Sequence, residues 1–169
     1  MAEILGLMRH AKSAYPDGVK DHDRPLAERG QRDALAAGPI VRQRMGTPDL
    51  VVVSTAKRAQ QTWTAASRAW THPPQHINDE RIYDATTDDL LLVLREIDSA
   101  NSSVLVVGHN PGMEELAFGL TSEASNAAAL ATMSEKFPTC ALAKLNVSTS
   151  WSHLIHHCAA LLSFDVPRG

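Results

Sequence analysis

The sequence predicts an α/β fold built on a mostly parallel sheet with helices on both faces. Short apolar runs rich in β-branched residues alternate with longer segments of helical periodicity, which is typical of strands joined by helical crossovers. Two of these runs, Leu50–Ser54 and Val104–Gly108, are apolar throughout, so both faces of each strand should be covered. At 169 residues the chain has the length of one domain, and we expect residues 1–169 to form it.

The individual elements follow from the same patterns. Strands are predicted at Ile4–Met8, Leu50–Ser54, Val104–Gly108 and Cys140–Val147, with a further strand just before Glu80. The tail Trp151–Gly169 fits either a short helix or an edge strand, for which Ala160–Val166 is the better candidate. Helical patterns lie at Leu26–Met45, Lys57–Trp70, Asp88–Ile97 and Met113–Gly119. Gly38-Pro39 predicts a kink or a break in the first helix. Residues Thr121–Lys136 are expected to form a weak helix or a lid, and Trp63 and Trp70 are expected in the core.

Composition narrows the class of protein. Apolar residues make up 44% of the chain and charged residues 21%, the balance of a soluble globular protein. The net charge of -3 argues against nucleic-acid binding driven by bulk electrostatics. No apolar run is long enough to span a bilayer and no leader is apparent, so we expect a cytoplasmic protein that does not bind membranes. Cys140 and Cys158 are then expected as reduced thiols.

Three predicted strands end in residues that suit phosphate. Arg9-His10 follows the first strand, Arg58 lies in the first helical turn after Leu50–Ser54, and His109 follows Val104–Gly108. Carboxyl ends of neighbouring parallel strands meet in one crevice, where guanidinium groups and helix N-termini favour anions. Arg9-His10 alone is equally compatible with an ordinary polar turn, but three such ends together predict a site for a dianion.

The same residues resemble the signature of a known family. Arg9-His10-Ala11, residues 55–62 and Gly-His-Asn-Pro-Gly at 108–112 are similar to the three motifs of the histidine phosphatase superfamily, which has the phosphoglycerate mutase-like fold. The small size, Asp23-Arg24-Pro25-Leu26 and Phe137-Pro138-Thr139 most resemble its SixA-like phosphohistidine phosphatase branch. The resemblance spans residues 4 to about 147 and implies a three-layer αβα sandwich, mostly parallel with an antiparallel edge strand. Ala11 stands where the family has glycine.

The resemblance implies a role for each site residue. His10, as a neutral imidazole, would attack phosphorus and become a phosphohistidine that water then hydrolyses. Arg9 and Arg58 would hold the phosphate oxygens, and His109, protonated beside the phosphate, would add a donor. Ser13 would contact phosphate or act only as a local cap. No metal and no cofactor is implied.

The general acid is a separate question. Glu80, in the Glu-x-x-Tyr pattern that ends at Tyr83, would protonate the leaving group, or it is a turn residue that pairs with Arg81. A phosphoramidate makes the assignment less pressing, because a histidine imidazole leaves more easily than an alkoxide.

The remaining histidines allow other interpretations. His153, His156 and His157 have helical spacing, but adjacent histidines point apart and no carboxylate accompanies them, so a polar edge or an oligomer contact is favoured over a metal site. His22 lies in a charged loop that either borders the pocket or is solvated. His72 and His76 fall in an apparently exposed connection.

Taken together, these features predict a metal-independent phosphatase whose leading substrate is phosphohistidine on a protein. Too few residues separate Pro111 from Cys140 for a large cap over the pocket. The alternatives are a phosphatase for a small phosphate ester and a non-catalytic phosphate-binding module. The sequence leaves the oligomeric state open.

Overall fold

The computed structural model describes residues 3–169 and contains one six-stranded sheet. In chain order the strands are β1 (Glu3–Arg9), β2 (Leu50–Ser54), β3 (His76–Asp79), β4 (Ser103–Gly108), β5 (Leu142–Val147) and β6 (Ala159–Asp165). Across the sheet they lie in the order β3-β2-β4-β1-β5-β6. Strands β1 to β4 are parallel, β5 is antiparallel to β1, and β6 is antiparallel to β5. Strand β5 therefore runs antiparallel to all the others, and it lies next to the edge strand β6.

Five α-helices and four 3₁₀ turns connect the strands. The helices are α1 (Glu28–Met45), α2 (Lys57–Ala66), α3 (Thr87–Arg95), α4 (Gly112–Leu120) and α5 (Ala127–Glu135). The 3₁₀ turns lie at Asp21–Asp23, Ser67–Ala69, Glu80–Ile82 and Trp151–His153. The helix predicted over Lys57–Trp70 thus ends earlier as an α-helix and continues as a 3₁₀ turn. Within residues 3–169, none of the helices is both long and apolar enough to cross a membrane.

Successive residues of the central strands alternate between two cores. On β1, Leu5 and Leu7 pack with residues of α3, α4 and α5, whereas Met8 packs with residues of α1 and α2 on the other face. All three side chains are fully buried. This alternation with both faces covered confirms the predicted three-layer αβα sandwich. Trp63 and Trp70 lie in the core on the α1/α2 side, as predicted.

The first helix corrects part of one prediction. Of the kink or break expected at Gly38-Pro39, the break does not occur, because α1 is continuous from Glu28 to Met45. The glycine has a packing role instead, because a Cβ at Gly38 would collide with the carbonyl oxygen of Ala66 in α2. Close packing between the two helices requires glycine at this position. Helix α1 tolerates the loss of the one backbone hydrogen bond that Pro39 cannot donate.

The segment after α4 is a packed helix and does not form a lid. The Asn126 side chain caps α5 by accepting a hydrogen bond from the Ala129 N–H. The backbone of Asn126 also donates to Leu161 of β6, and Met133 is fully buried in the core. Helix α5 therefore covers the β6 side of the sheet.

The sheet register brings the predicted site residues to one edge. Arg9 at the end of β1 pairs with Gly108 at the end of β4, and Val107 of β4 pairs with Val53 of β2. The residues that follow these three strands consequently emerge side by side.

Candidate active site

His10 lies at the centre of this edge with its tautomer fixed. Its Nδ1 is 2.6 Å from the carbonyl oxygen of Ala11, which can only accept, so Nδ1 carries the proton. In the neutral ring Nε2 then carries the lone pair, which accepts a 3.3 Å hydrogen bond from the Arg58 Nε–H. Only 7% of His10 is exposed. The arrangement leaves Nε2 as the available nucleophilic nitrogen.

The surroundings of His10 keep it neutral. Burial lowers its pKa to about 4, and the positive charges of Arg58, Arg9 and Arg24 act in the same direction against the hydrogen bond to Ala11. At neutral pH the imidazole is therefore unprotonated, which is the state a nucleophile needs.

Arg58 is buried and held by the loop that follows β1. Its Nη1 donates to the Asp21 carbonyl at 2.7 Å and its Nη2 to the Asp21 carboxylate at 3.1 Å. The same carboxylate oxygen accepts a 2.7 Å hydrogen bond from Tyr83 OH. Tyr83 OH, Arg24 and Arg58 together hold the pKa of Asp21 well below its usual range. Asp21 thus accepts hydrogen bonds from both terminal nitrogens of Arg58.

A further arginine joins the site through the same loop. Arg24 Nη1 donates to the Ser13 hydroxyl at 2.7 Å, and its guanidinium forms an ion pair with Asp21 at 2.9 Å. Tyr15 lies on the outer side, with its ring centroid 4.1 Å from Arg24 Cζ. Ser13 is thus buried and holds Arg24 here.

His109 faces His10 from the end of β4. The two ring centroids are 5.0 Å apart, and His109 Nε2 is 2.7 Å from the Ser54 hydroxyl at the end of β2. Its Nδ1 is buried with no hydrogen-bond partner among residues 3–169. Burial, followed by repulsion from His10 and Arg58, lowers the pKa of His109 to about 3. At neutral pH the groups around His109 therefore favour its neutral form, whereas a protonated imidazole is expected beside a phosphate.

Arg9 reaches the site from the last position of β1. Its Nη1 donates to the carbonyl oxygen of Phe137 at 3.0 Å, and the Asn110 amide donates to the same oxygen at 3.0 Å. Burial lowers the pKa of Arg9. This cation is partly desolvated and would gain from an anionic ligand.

Ala11 is accommodated without backbone strain. The non-glycine residues with positive φ in the described chain are Asp84, Cys140 and His157, so the position of Ala11 does not require glycine. The Ala11 side chain is fully buried, and its N–H donates to the Thr62 hydroxyl at 3.0 Å. Thr62 in turn donates to the Arg58 carbonyl at 2.7 Å, which ties the first motif to α2.

Glu80 stands apart from these contacts. It begins the 3₁₀ turn after β3, is exposed, and its carboxylate makes no hydrogen bond or ion pair within residues 3–169. Arg81 binds Asp79 and Glu96 instead, each at 2.8 Å, so the predicted alternative of a Glu80–Arg81 pair is wrong.

The other histidines separate into two groups. His22 borders the site, with Nε2 3.0 Å from the Thr55 hydroxyl and its ring against Tyr83 at 4.8 Å between centroids. His153 lies in a 3₁₀ turn and His157 in a following turn, so the helix implied by their spacing does not form. In the described chain no three His, Cys, Asp or Glu residues are arranged to hold a metal ion. His76 begins edge strand β3 and His72 is exposed.

The structure thus brings together most of the predicted site and adds residues that the sequence did not single out. His10, Arg9, Arg58, His109 and Ser13 all lie at the carboxyl edge, whereas the Glu80 carboxylate forms no hydrogen bond or ion pair with them. Five further residues complete the site: Asp21, Arg24, Ser54, Thr62 and Tyr83. Of these, Tyr83 belongs to the Glu-x-x-Tyr pattern, and Thr62 follows Arg58 by four residues, which places the two on one face of a helix.

Comparison with known proteins gives a consistent result. Residues 5–90 match the family described as the histidine phosphatase superfamily, branch 1. The uncharacterised protein Rv1276c of Mycobacterium tuberculosis is 44% identical over 162 residues, which are 95% of this chain and 100% of that protein.

Two solved structures are similar over nearly the full length. A protein of Nakamurella multipartitia, provisionally described as the phosphohistidine phosphatase SixA, has 31% sequence identity and a TM-score of 0.86, covering 99% of this chain and 97% of its own. A protein of Agrobacterium tumefaciens with the same provisional description has 30% identity and a TM-score of 0.82, covering 99% of both chains.

Proposed function

Since the chain belongs to the histidine phosphatase superfamily, we propose that it is a phosphatase that works through a phosphohistidine intermediate on His10. The observation that carries the proposal is the tautomer of His10. The hydrogen bond from Nδ1 to the Ala11 carbonyl puts the lone pair on Nε2, where it accepts a hydrogen bond from Arg58 and would be exchanged for phosphorus when the substrate takes up the guanidinium. A non-catalytic phosphate-binding module has no need for an imidazole held in this way.

Two displacement steps account for the reaction. His10 Nε2 attacks phosphorus, the Nε2–P bond forms, and the bond to the leaving group breaks with its electron pair. Water then attacks phosphorus, the Nε2–P bond breaks, and inorganic phosphate leaves with His10 again neutral. Arg9 and Arg58 stabilise the charge on the phosphoryl oxygens, and Nδ1 of His109 is available as a further donor.

We place phosphohistidine on a protein as the substrate, with a small phosphate ester as the alternative. Three observations support this choice: the provisional description of the two similar structures, the packing of α5 against β6 in place of a lid, and the exposure of Glu80. A histidine leaving group accepts a proton on its ring nitrogen and depends less on a general acid than an alkoxide does. A cytoplasmic location, with the free thiols of Cys140 and Cys158 reduced, fits such a substrate.

The central test compares wild type with His10→Ala on an aryl phosphate and on a phosphohistidine peptide. We expect the variant to lose activity on both and wild type to retain activity in a chelator. Brief incubation with radiolabelled substrate should label wild type in an acid-labile form. His72→Ala, which changes an exposed histidine away from the site, is the control. Equal hydrolysis by wild type and His10→Ala would disprove the assignment, and an inert wild type that binds the phosphopeptide would favour the binding module.

Glu80→Gln separates the two substrate classes. If Glu80 protonates an alkoxide, the variant loses activity on alkyl phosphates by about 10²-fold, the low end of general-acid effects, and stays close to wild type on the phosphohistidine peptide. Equal loss on both substrates would contradict the leaving-group argument.

A further inference from the structure

Arg9 is positioned by a hydrogen-bonded chain that ends at Glu114, a residue in the first turn of α4. Arg9 Nη1 and the Asn110 amide share the Phe137 carbonyl oxygen, each at 3.0 Å. The Asn110 amide nitrogen also donates to Glu114 Oε2 at 3.0 Å. One carbonyl group and one amide therefore connect an arginine of the active site to a carboxylate on a neighbouring helix.

The charge and burial of Arg9 indicate what these hydrogen-bonded contacts do. Arg9 has no ion-pair partner within 4.0 Å in the described residues, and its Nε is buried without a hydrogen bond. Its Nη2 makes no hydrogen bond to residues 3–169 and is not fully buried, so this group is free for a ligand. The negative charge of Glu114 opposes the burial effect that lowers the pKa of Arg9. Glu114 thus accepts the last hydrogen bond of the series that begins at Arg9, and its carboxylate is also a counter-charge for the Arg9 guanidinium.

We propose that Glu114 is a positioning residue that orients Arg9 for phosphoryl transfer through Asn110 and Phe137, at some cost in affinity for the anion. The inference rests on the proposed phosphatase function for its kinetic part. The two roles of Glu114 have opposite signs. Its hydrogen bond fixes the direction of the Arg9 guanidinium, which supports turnover, whereas its negative charge repels a phosphate dianion bound nearby.

Substitutions can separate these roles. Glu114→Gln keeps an acceptor for the Asn110 amide but removes the charge, and Glu114→Ala removes both. We expect Glu114→Ala to lower kcat by about tenfold, the effect of one lost hydrogen bond that matters in the transition state. Glu114→Gln should restore kcat to within about threefold of wild type. Both variants should bind inorganic phosphate about twofold to threefold more tightly, because one screened negative charge is gone.

Glu115 provides the matched control. It is the next residue in the same helical turn, is exposed, and its carboxylate forms no hydrogen bond or ion pair in the described chain. Glu115→Gln and Glu115→Ala therefore make the same change of charge at the start of α4 without touching the Arg9 chain. Thermal unfolding of all four variants shows whether a loss of activity reflects a loss of fold.

The measurements are kcat on an aryl phosphate, the dissociation constant of inorganic phosphate by calorimetry, and the NMR signal of the Arg9 Nε–H. The last two do not depend on turnover, so they report on the inference even if the proposed function is wrong. In Glu114→Ala the Arg9 signal should broaden or exchange faster with solvent, and in Glu114→Gln it should resemble wild type. Equal kcat and equal Arg9 signals in Glu114→Ala and Glu115→Ala would overturn the proposal. Weaker phosphate binding in Glu114→Gln would overturn it as well.

Discussion

The two buried histidines of the site should make the protein sensitive to mild acid. Burial and nearby cations hold the pKa of His10 at about 4 and that of His109 at about 3, below the value of about 6.5 for an unfolded histidine. Because both native pKa values are lowered, the unfolded chain binds more protons than the native protein once the pH falls below about 6.5. Stability is therefore fully present above that pH and is lost as the pH falls towards the native values.

The size of the effect follows from the same pKa values. Between about pH 7 and pH 5 each histidine takes up nearly one proton in the unfolded chain and almost none in the native protein. Each should then reduce the free energy of unfolding by about 2 kcal/mol, and the two together by about 4 kcal/mol. That is a large fraction of the stability of an ordinary domain, about 5–15 kcal/mol.

Urea unfolding at the two pH values measures this difference. Wild type should lose about 4 kcal/mol between about pH 7 and pH 5, and His109→Gln should lose only about 2 kcal/mol because one of the two histidines is gone. His72→Gln, which removes an exposed histidine, should behave as wild type. If wild type and His109→Gln lose the same free energy over this interval, the two histidines are not buried as neutral groups and the reasoning fails.

Two further predictions concern residues around His10. Thr62→Val removes the acceptor of the Ala11 N–H and should lower the free energy of unfolding by about 1 kcal/mol and kcat by about tenfold. Thr64→Val changes an exposed residue of the same helix and should leave kcat unchanged. Urea unfolding measures the stability of both variants, and steady-state kinetics measure kcat. Asp21→Asn removes a carboxylate that occupies Arg58 and should tighten inhibition by inorganic phosphate several-fold at low salt and less at high salt. The control Asp17→Asn changes a loop carboxylate that forms no ion pair within residues 3–169 and should alter the inhibition constant little. Equal inhibition constants in wild type and Asp21→Asn would contradict the competition between Asp21 and the anion.

The sequence predicts the fold and the centre of the site for a clear physical reason. Strands β2 and β4 are continuous apolar runs, and the residues that follow them must lie together in a parallel sheet. The convergence of His10, Arg58 and His109 is therefore predictable from the residues that follow three apolar strands. By contrast, a glycine beside a proline is locally a helix-breaking pattern. That Gly38 instead allows α2 to pack closely against α1 is visible only in the folded structure.

Contacts across loops are harder to predict. Asp21 begins a charged 3₁₀ turn and Arg24 directly follows it, and the local pattern is that of a solvated surface. Both nevertheless reach the site because the chain folds back from β1 towards α1. Glu114 gives no local signal either, since an acidic residue in the first turn of a helix is expected at any helix start. Its partner Asn110 and the Phe137 carbonyl come from two other segments.

The low pKa of His109 and its expected protonation beside a phosphate can both be true, because the anion decides between them. In the anion-free site the pKa of His109 is about 3, roughly four units below neutral pH. A unit charge at about 4 Å is worth about 4 kcal/mol at an effective dielectric constant of about 20, so a dianion there would raise the pKa by about six units.

This increase in pKa exceeds the difference between neutral pH and the pKa of His109, so a bound dianion should cause His109 to be protonated at neutral pH. Calorimetric binding of sulfate, which remains a dianion at this pH, in buffers of different ionisation enthalpy should show an uptake approaching one proton in wild type. His109→Gln should show almost none. Binding without proton uptake in wild type would mean that His109 stays neutral and contributes to the anion only as a neutral donor from Nδ1.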